Sequence, residues 1–290
     1  MHVIIAAVVA ALGSVGASID VGQQACGVTA AGQYFYADSY ASGTLVKVDP
    51  RTNKVVKRIL VTPSPCGIAT GAGALWVEDF NTNRIVRVAL KTFKVTHRIK
   101  VGRKPWDVAF AFNAVWATNQ LDSTVSRIDP KTRKVKTIKI GGDPTCIRPG
   151  AGALWVGTQS TSSIWRIDPA TLAVKEIVVG NNGELCADPS ADGVWVTNNT
   201  ADSVSRIDPV SFEVTTTVKV PGRPTDLVRG PDGLEWVTSL LEGKVTRIDT
   251  ATGKVVDSID TGGKPFVIRS GFGSVWTADY GGTQLFRLNP

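Results

Sequence analysis

Three residue columns recur along this chain at an interval of about forty residues, and that beat limits its fold more than any other feature. One column, the Asp of an Arg-Ile-Asp-Pro motif, reads Asp49, Ala89, Asp129, Asp168, Asp208, Asp249 and Asn289, in steps of 40, 40, 39, 40, 41 and 40 residues. Two residues before each stands a base: Lys47, Arg87, Arg127, Arg166, Arg206, Arg247 and Arg287. An aromatic column runs Tyr36, Trp76, Trp116, Trp155, Trp195, Trp236 and Trp276. Seven units in register mark a repeat architecture, in which each unit buries its apolar faces against its neighbours.

One unit, residues 106 to 144, shows what is repeated. The spacing predicts strands at Asp107–Phe110, Ala114–Thr118, Thr124–Ile128 and Lys134–Ile140. Asp129-Pro130 opens the last turn, with proline pre-setting φ at its second position. Glycine-rich pieces such as Gly71-Ala72-Gly73 turn the first strand into the second. Four short antiparallel strands per forty residues is a propeller blade. The expected fold is therefore all-β, a seven-bladed β-propeller with the large ring of each unit packed between sheets. The seventh unit ends after three strands. Residues 18 to 22 (Ser-Ile-Asp-Val-Gly) match residues 258 to 262 (Ser-Ile-Asp-Thr-Gly), six periods away, so the N-terminal strand is expected to close the last blade.

Val3 to Leu12 is an apolar run too short to span a bilayer, and residues 15 to 17 (Val-Gly-Ala) fit a small-residue cleavage site. The chain divides accordingly into a signal peptide, 1–17, and one propeller, 18–290, with a periplasmic or secreted location and no membrane insertion. The n-region has no Lys or Arg. A net charge of +7 is spread along the chain, and its densest run, Lys131 to Lys136, falls on an outer edge. Edge lysines block sheet-to-sheet aggregation. No nucleic-acid signature accompanies them.

Val115-Trp116-Ala117-Thr118-Asn119 and Val194-Trp195-Val196-Thr197-Asn198, each followed by Arg-Ile-Asp-Pro, resemble the YVTN-repeat β-propellers. Gly-Ala-Leu-Trp-Val at residues 73–77 and 152–156 is similar to repeats of the streptogramin (virginiamycin B) lyase family. The first likeness implies an exported binding or accessory protein. The second implies a catalytic His at a blade entrance with glutamates holding Mg²⁺. The chain has only His2, in the leader, and His97, on an outer strand. The likeness thus argues for the fold and against the activity; Mg²⁺ is expected only if the protein is lyase-like, and otherwise no cofactor.

The connections entering each first strand end in a proline column, Pro65, Pro105, Pro144, Pro224 and Pro265, with Ala25 and Glu184 in the remaining units. Two residues on stand Gly27, Gly67, Asp107, Cys146, Cys186, Asp226 and Val267; two further, Thr29, Ala69, Ala109, Arg148, Asp188, Val228 and Arg269. Side chains alternate along a strand, so these positions share the channel face and the apolar residues between them face the core. The expected binding site is a channel mouth of Arg148, Asp188 and Arg269, rimmed by Asp107 and Asp226. Two guanidiniums there would suit a small carboxylate or phosphate, or the same residues form an ion-pair network closing the channel. Trp106, Phe266, Tyr40, Phe80 and Tyr280 offer stacking surface on that face.

Cys26 and Cys66 share one repeat position in adjacent units, and Cys146 and Cys186 another. Two inter-blade disulfides, free buried thiols, and a metal held by Asp107, Cys146, Cys186 and Asp226 all remain open. The last lacks His and any tight ligand spacing. The leading expectation is an exported, monomeric binding propeller for a small anion or a protein. The alternative is a lyase-like enzyme at the same mouth.

Overall fold

The recurring aspartate sets the turn behind it. Asp129 Oδ1 accepts hydrogen bonds from the backbone N–H groups of Lys131 (2.8 Å) and Thr132 (2.7 Å), and Asp168, Asp208 and Asp249 do the same in their own units. A carboxylate replaces the backbone acceptors that a tight turn lacks. These bonds hold all four carboxyls below the usual carboxylate range.

The computed structural model describes residues 12–180, 186–190 and 192–290. Within them lie seven four-stranded antiparallel sheets. Blades one to six span residues 25–60, 68–100, 105–139, 144–178, 187–219 and 224–260. Blade seven takes three strands from 265–289 and its outermost strand from Ser14–Asp20, which runs antiparallel to Gln284–Asn289. Each first strand touches the first strand of the next blade, and blade seven's touches blade one's, which closes the ring. Among the described residues the helical content is two single 3₁₀ turns, Gln120–Asp122 and Asn199–Ala201. No described helix is long and apolar enough to cross a membrane.

The aromatic and basic columns are cross-strand partners: Trp76 faces Arg87, Trp116 faces Arg127, and Trp276 faces Arg287. The six tryptophans are fully buried. Guanidiniums lie over four of the rings, Arg247 at 5.1 Å from that of Trp236. Each pair fills a gap between sheets with an apolar ring and still leaves the charge a favourable face.

The closing strand keeps the expected register, with Ile19 opposite Leu285 and Ile19 buried. It is longer than the stretch that matches the repeat. Ser14 and Val15 pair with Asn289 and Leu288, and the Gly13 N–H reaches Asp257 Oδ2 at 3.2 Å. Cleavage after Ala17 would leave only Ser18, Ile19 and Asp20 in this strand. Residues 1–11 of the expected leader, His2 among them, and Glu184 of the entrance column lie outside the described residues.

Candidate functional site

A first strand enters from the loop face and runs inward, so position along it is depth in the channel. Trp106 and Phe266, one residue past their prolines, stand at the entrance. With Tyr40, Phe80, Leu240 and Tyr280 they enclose a cavity of about 270 Å³, which Cys66 and Glu78 complete. Phe80 meets Trp106 edge-on at 5.4 Å between centroids, and Phe266 meets Tyr280 at 5.0 Å. The Lys104 ammonium sits 4.2 Å from the centre of the Phe80 ring.

Below this cavity the channel narrows to about 30 Å³ among Asp107, Cys146, Arg148, Cys186 and Asp226. Arg148 and Arg269 reach a separate space of about 150 Å³ deeper still, together with Thr29 and Pro149. The order along the channel reverses the expectation that the arginines form the mouth and the aspartates its rim. Two residues further along an inward-running strand is two residues deeper.

The arginines are already matched. Arg148 Nη1 donates to Asp107 Oδ2, and its Nη2 donates to both oxygens of Asp226 at 3.1 and 3.0 Å. Arg269 Nη1 donates to Asp226 Oδ2 at 2.6 Å. The backbone N–H groups of Ile147 and Ile268 also bond Asp107 and Asp226, at 3.0 and 3.1 Å. Burial pushes the Asp226 carboxyl up, but Arg148 and Arg269 outweigh it and hold that carboxyl below its ordinary value. Burial opposes both guanidinium charges. Arg148, with carboxylates on two sides, is held above the ordinary arginine value; Arg269, with Arg148 beside it, falls below it. Two guanidiniums and two carboxylates form a neutral plug across the channel.

Asp188 does not join this plug. Its Oδ2 accepts from the backbone N–H of Arg229 at 2.6 Å, and the Arg229 Nε lies 3.3 Å from Glu235 Oε2. Burial raises the carboxyls of both Asp188 and Glu235. Arg229, one residue past the column of Arg148, thus stands against a second acidic pair rather than in the channel network.

The structure adds two buried acids on second strands, Glu78, which lines the mouth cavity, and Asp38. The second-strand column that contains them reads Asp38, Glu78, Thr118, Gly157, Thr197, Thr238 and Ala278. Where threonine stands, its hydroxyl accepts the backbone N–H of the adjacent first strand: Asp107 at 3.0 Å, Cys186 at 2.9 Å and Asp226 at 3.0 Å. Asp38 Oδ1 takes the N–H of Gly27 at 2.7 Å, and the longer Glu78 takes that of Cys66 at 2.6 Å. One oxygen does the work of the threonine hydroxyl. The other, Asp38 Oδ2 or Glu78 Oε2, is buried without a hydrogen-bond partner. Gly27 and Gly67 make room, for a Cβ on Gly27 would lie 2.6 Å from Asp38 Oδ2 and one on Gly67 3.1 Å from Glu78 Cγ. Burial, and then the neighbouring acids, push both carboxyls well above the usual range. Two acids in a buried threonine column were the sequence signal for this feature.

Cys26 bonds Cys66, with Cα atoms 4.9 Å apart, and Cys146 bonds Cys186, at 5.2 Å. Each bridge ties the first strand of one blade to the segment entering the first strand of the next, within the span that a disulfide requires. Thiol titration of the denatured protein is therefore expected to find no thiols without reductant and four with it. Any free thiol in the untreated sample would break one of these pairs.

Among the described residues, the one set of three or more His, Cys, Asp or Glu donors converging within 4.8 Å is Cys146, Cys186 and Asp226. Two of those donors are disulfide sulfurs and the third is held by two arginines. Mg²⁺ demands several oxygen ligands, so this set does not fit it. His97 lies exposed on the outer strand of blade two, opposite Arg87.

Residues 54–290 match the family model of the virginiamycin B lyases. Virginiamycin B lyase from Staphylococcus aureus superposes with a TM-score of 0.82 at 18% identity, covering 92% of this chain and 95% of that one. A catalytically inactive form of the Staphylococcus aureus enzyme, with quinupristin, gives 0.80 at 16%, covering 94% and 98%. The WD40 propeller domain of Doa1 gives 0.81 at 10%, covering 96% and 97%. No curated protein matches the chain in sequence.

Proposed function

The chain belongs to the virginiamycin B lyase family, and from that footing we propose that it is a binding or lyase-like propeller whose mouth cavity takes a small, ring-bearing molecule. The observation that supports this reading is the enclosure of about 270 Å³ by five aromatic side chains at the loop end of the channel. Its size suits a small molecule rather than a protein segment, and its apolar lining with a few polar groups is the usual make-up of a ligand pocket. An anionic ligand at the arginines has less support, because Asp107 and Asp226 already occupy both guanidiniums. Export belongs to the same proposal, supported by the apolar run at residues 3 to 12 and by two bridges of a kind that persists in oxidising compartments.

Trp106→Ala and Phe266→Ala are expected to weaken binding of an aromatic probe by about tenfold each, since stacking and burial of one ring are worth roughly that much. Isothermal titration with 2-phenylethanol measures it. Full retention by both variants would move the ligand elsewhere.

Turnover is the second reading. What favours it is a buried carboxyl in the cavity lining, Glu78, whose proton affinity is raised by burial and by Asp38, a property shared by general bases. Conversion of quinupristin by the wild-type protein and not by Glu78→Gln would support turnover. No conversion by either would leave a binding protein.

A further inference from the structure

We propose that the mouth cavity is an amine site, in which Glu78 receives the ammonium group of a ligand whose ring is held by the surrounding aromatics. This rests on the mouth cavity being the ligand site and names the chemical class that it takes.

Three independent features converge. First, Glu78 lines the cavity, is buried, and keeps Oε2 without a partner, although one oxygen already serves the Cys66 N–H. An unpaired buried carboxylate oxygen costs free energy unless a donor comes to it. Three blades place threonine here, whereas blades one and two carry acids. Second, five aromatic rings line the walls: Phe80, Trp106, Phe266, Tyr40 and Tyr280. The faces of such rings attract cations and repel anions. Third, one of them already carries a cation, the Lys104 ammonium over Phe80, tethered to Asn81 Oδ1 at 2.9 Å.

The charge balance around Glu78 agrees. The groups facing it are acidic: Asp38 on the second strand of blade one, Asp107 on the first strand of blade three, and Asp79 beside it. Of these, Asp107 is matched by Arg148, which points away down the channel. A bound ammonium would supply a counter-charge to this acidic cluster and favour the ionised form of Glu78 that burial opposes. Wherever the pH leaves Glu78 protonated in the empty site, binding of a protonated amine is coupled to proton release: the complex holds R–NH₃⁺ against –COO⁻, and one H⁺ leaves to solvent.

The probes are phenethylamine, its neutral isostere 2-phenylethanol, and the anion phenylacetate. Calorimetry in two buffers of different ionisation enthalpy counts the protons. Wild-type protein is expected to bind phenethylamine about tenfold or more tighter than 2-phenylethanol, as a charge-assisted bond does over a neutral one, and to release a proton as it does so. Phenylacetate is expected to bind weakest. Glu78→Gln should lose both the preference for phenethylamine over 2-phenylethanol and the proton release. If the alcohol binds and the amine binds no better, the amine proposal fails while the cavity reading stands. If no ring compound binds, both fail. Should Glu78→Gln not fold, the ranking of the three probes on the wild type decides alone.

Discussion

Asp226→Ala is expected to destabilise the protein by about 3–5 kcal/mol, the usual cost of leaving buried charges without their partner. Asp226 is fully buried and holds Arg148 and Arg269 together, so its loss leaves one guanidinium with Asp107 alone and the other with no carboxylate from the plug. Asp226→Asn preserves the shape and one acceptor, and should cost less. Urea denaturation of the three proteins at neutral pH measures this; a loss under 1 kcal/mol for Asp226→Ala would mean that the plug is hydrated and structurally idle. The pH dependence carries a definite sign. Asp226 has a folded-state pKa below its unfolded one. Its contribution is therefore complete above the ordinary carboxylate range and disappears as pH falls through the lower, folded value. Wild type and Asp226→Ala should converge in acid. Glu78 behaves oppositely, because its folded-state pKa is raised. Its carboxyl costs stability increasingly as pH climbs from the ordinary glutamate range towards the folded value, so Glu78→Gln should gain on wild type over that climb. One channel then holds two buried acids with opposite pH signatures.

A chain lacking residues 12–20 is expected to lose cooperative unfolding and to elute as oligomers. Without Ser14–Asp20, the edge strand Gln284–Asn289 exposes unpaired N–H and C=O groups, a template for pairing with another copy. The loss also uncovers the pocket of Ile19 and frees one of the oxygens of Asp257, which also binds the buried Arg247. Ile19→Asp separates packing from pairing: it keeps the strand but places a charge against Leu285, and should cost about 3 kcal/mol or more. Size-exclusion chromatography and thermal melts distinguish the two. A monomeric, cooperatively melting protein without residues 12–20 would show that blade seven stands on three strands.

The fold was legible because the repeat writes the same instruction in every unit. Asp129 and its equivalents mark a turn, Trp116 and Arg127 mark facing strands, and the residue 258–262 match at residues 18–22 marks the closing strand. Residues that vary between units were harder to place. Arg148 and Arg269 were expected on the channel face, either free for an anion or joined with the neighbouring acids in an ion-pair network, and the structure pairs them with Asp107 and Asp226; their depth was not legible, because a column gives none unless the direction of the strand is followed. Asp188 shares their column yet accepts the backbone N–H of Arg229, from the first strand of the next blade. Asp38 and Glu78 escaped notice for a different reason. They sit on second strands, in a column that reads as buried and structural, and only the atomic accounting reveals that one oxygen in each carboxyl has nothing to do. Trp106, Phe266, Tyr40, Phe80 and Tyr280 were expected on one face, and their enclosure of a cavity is a property of the curvature of the ring.

The pairing of Ser14 with Asn289 places the two partners of one strand pair 275 residues apart. Contacts of such sequence separation are the slowest to form, because the loop that they close is nearly the whole chain. During synthesis, six blades can assemble in order while the seventh waits for its final strand, leaving the first-made segment unpaired throughout. A nascent chain of this kind stays an open arc of blades, with the edge of the seventh unpaired, until its last residues arrive.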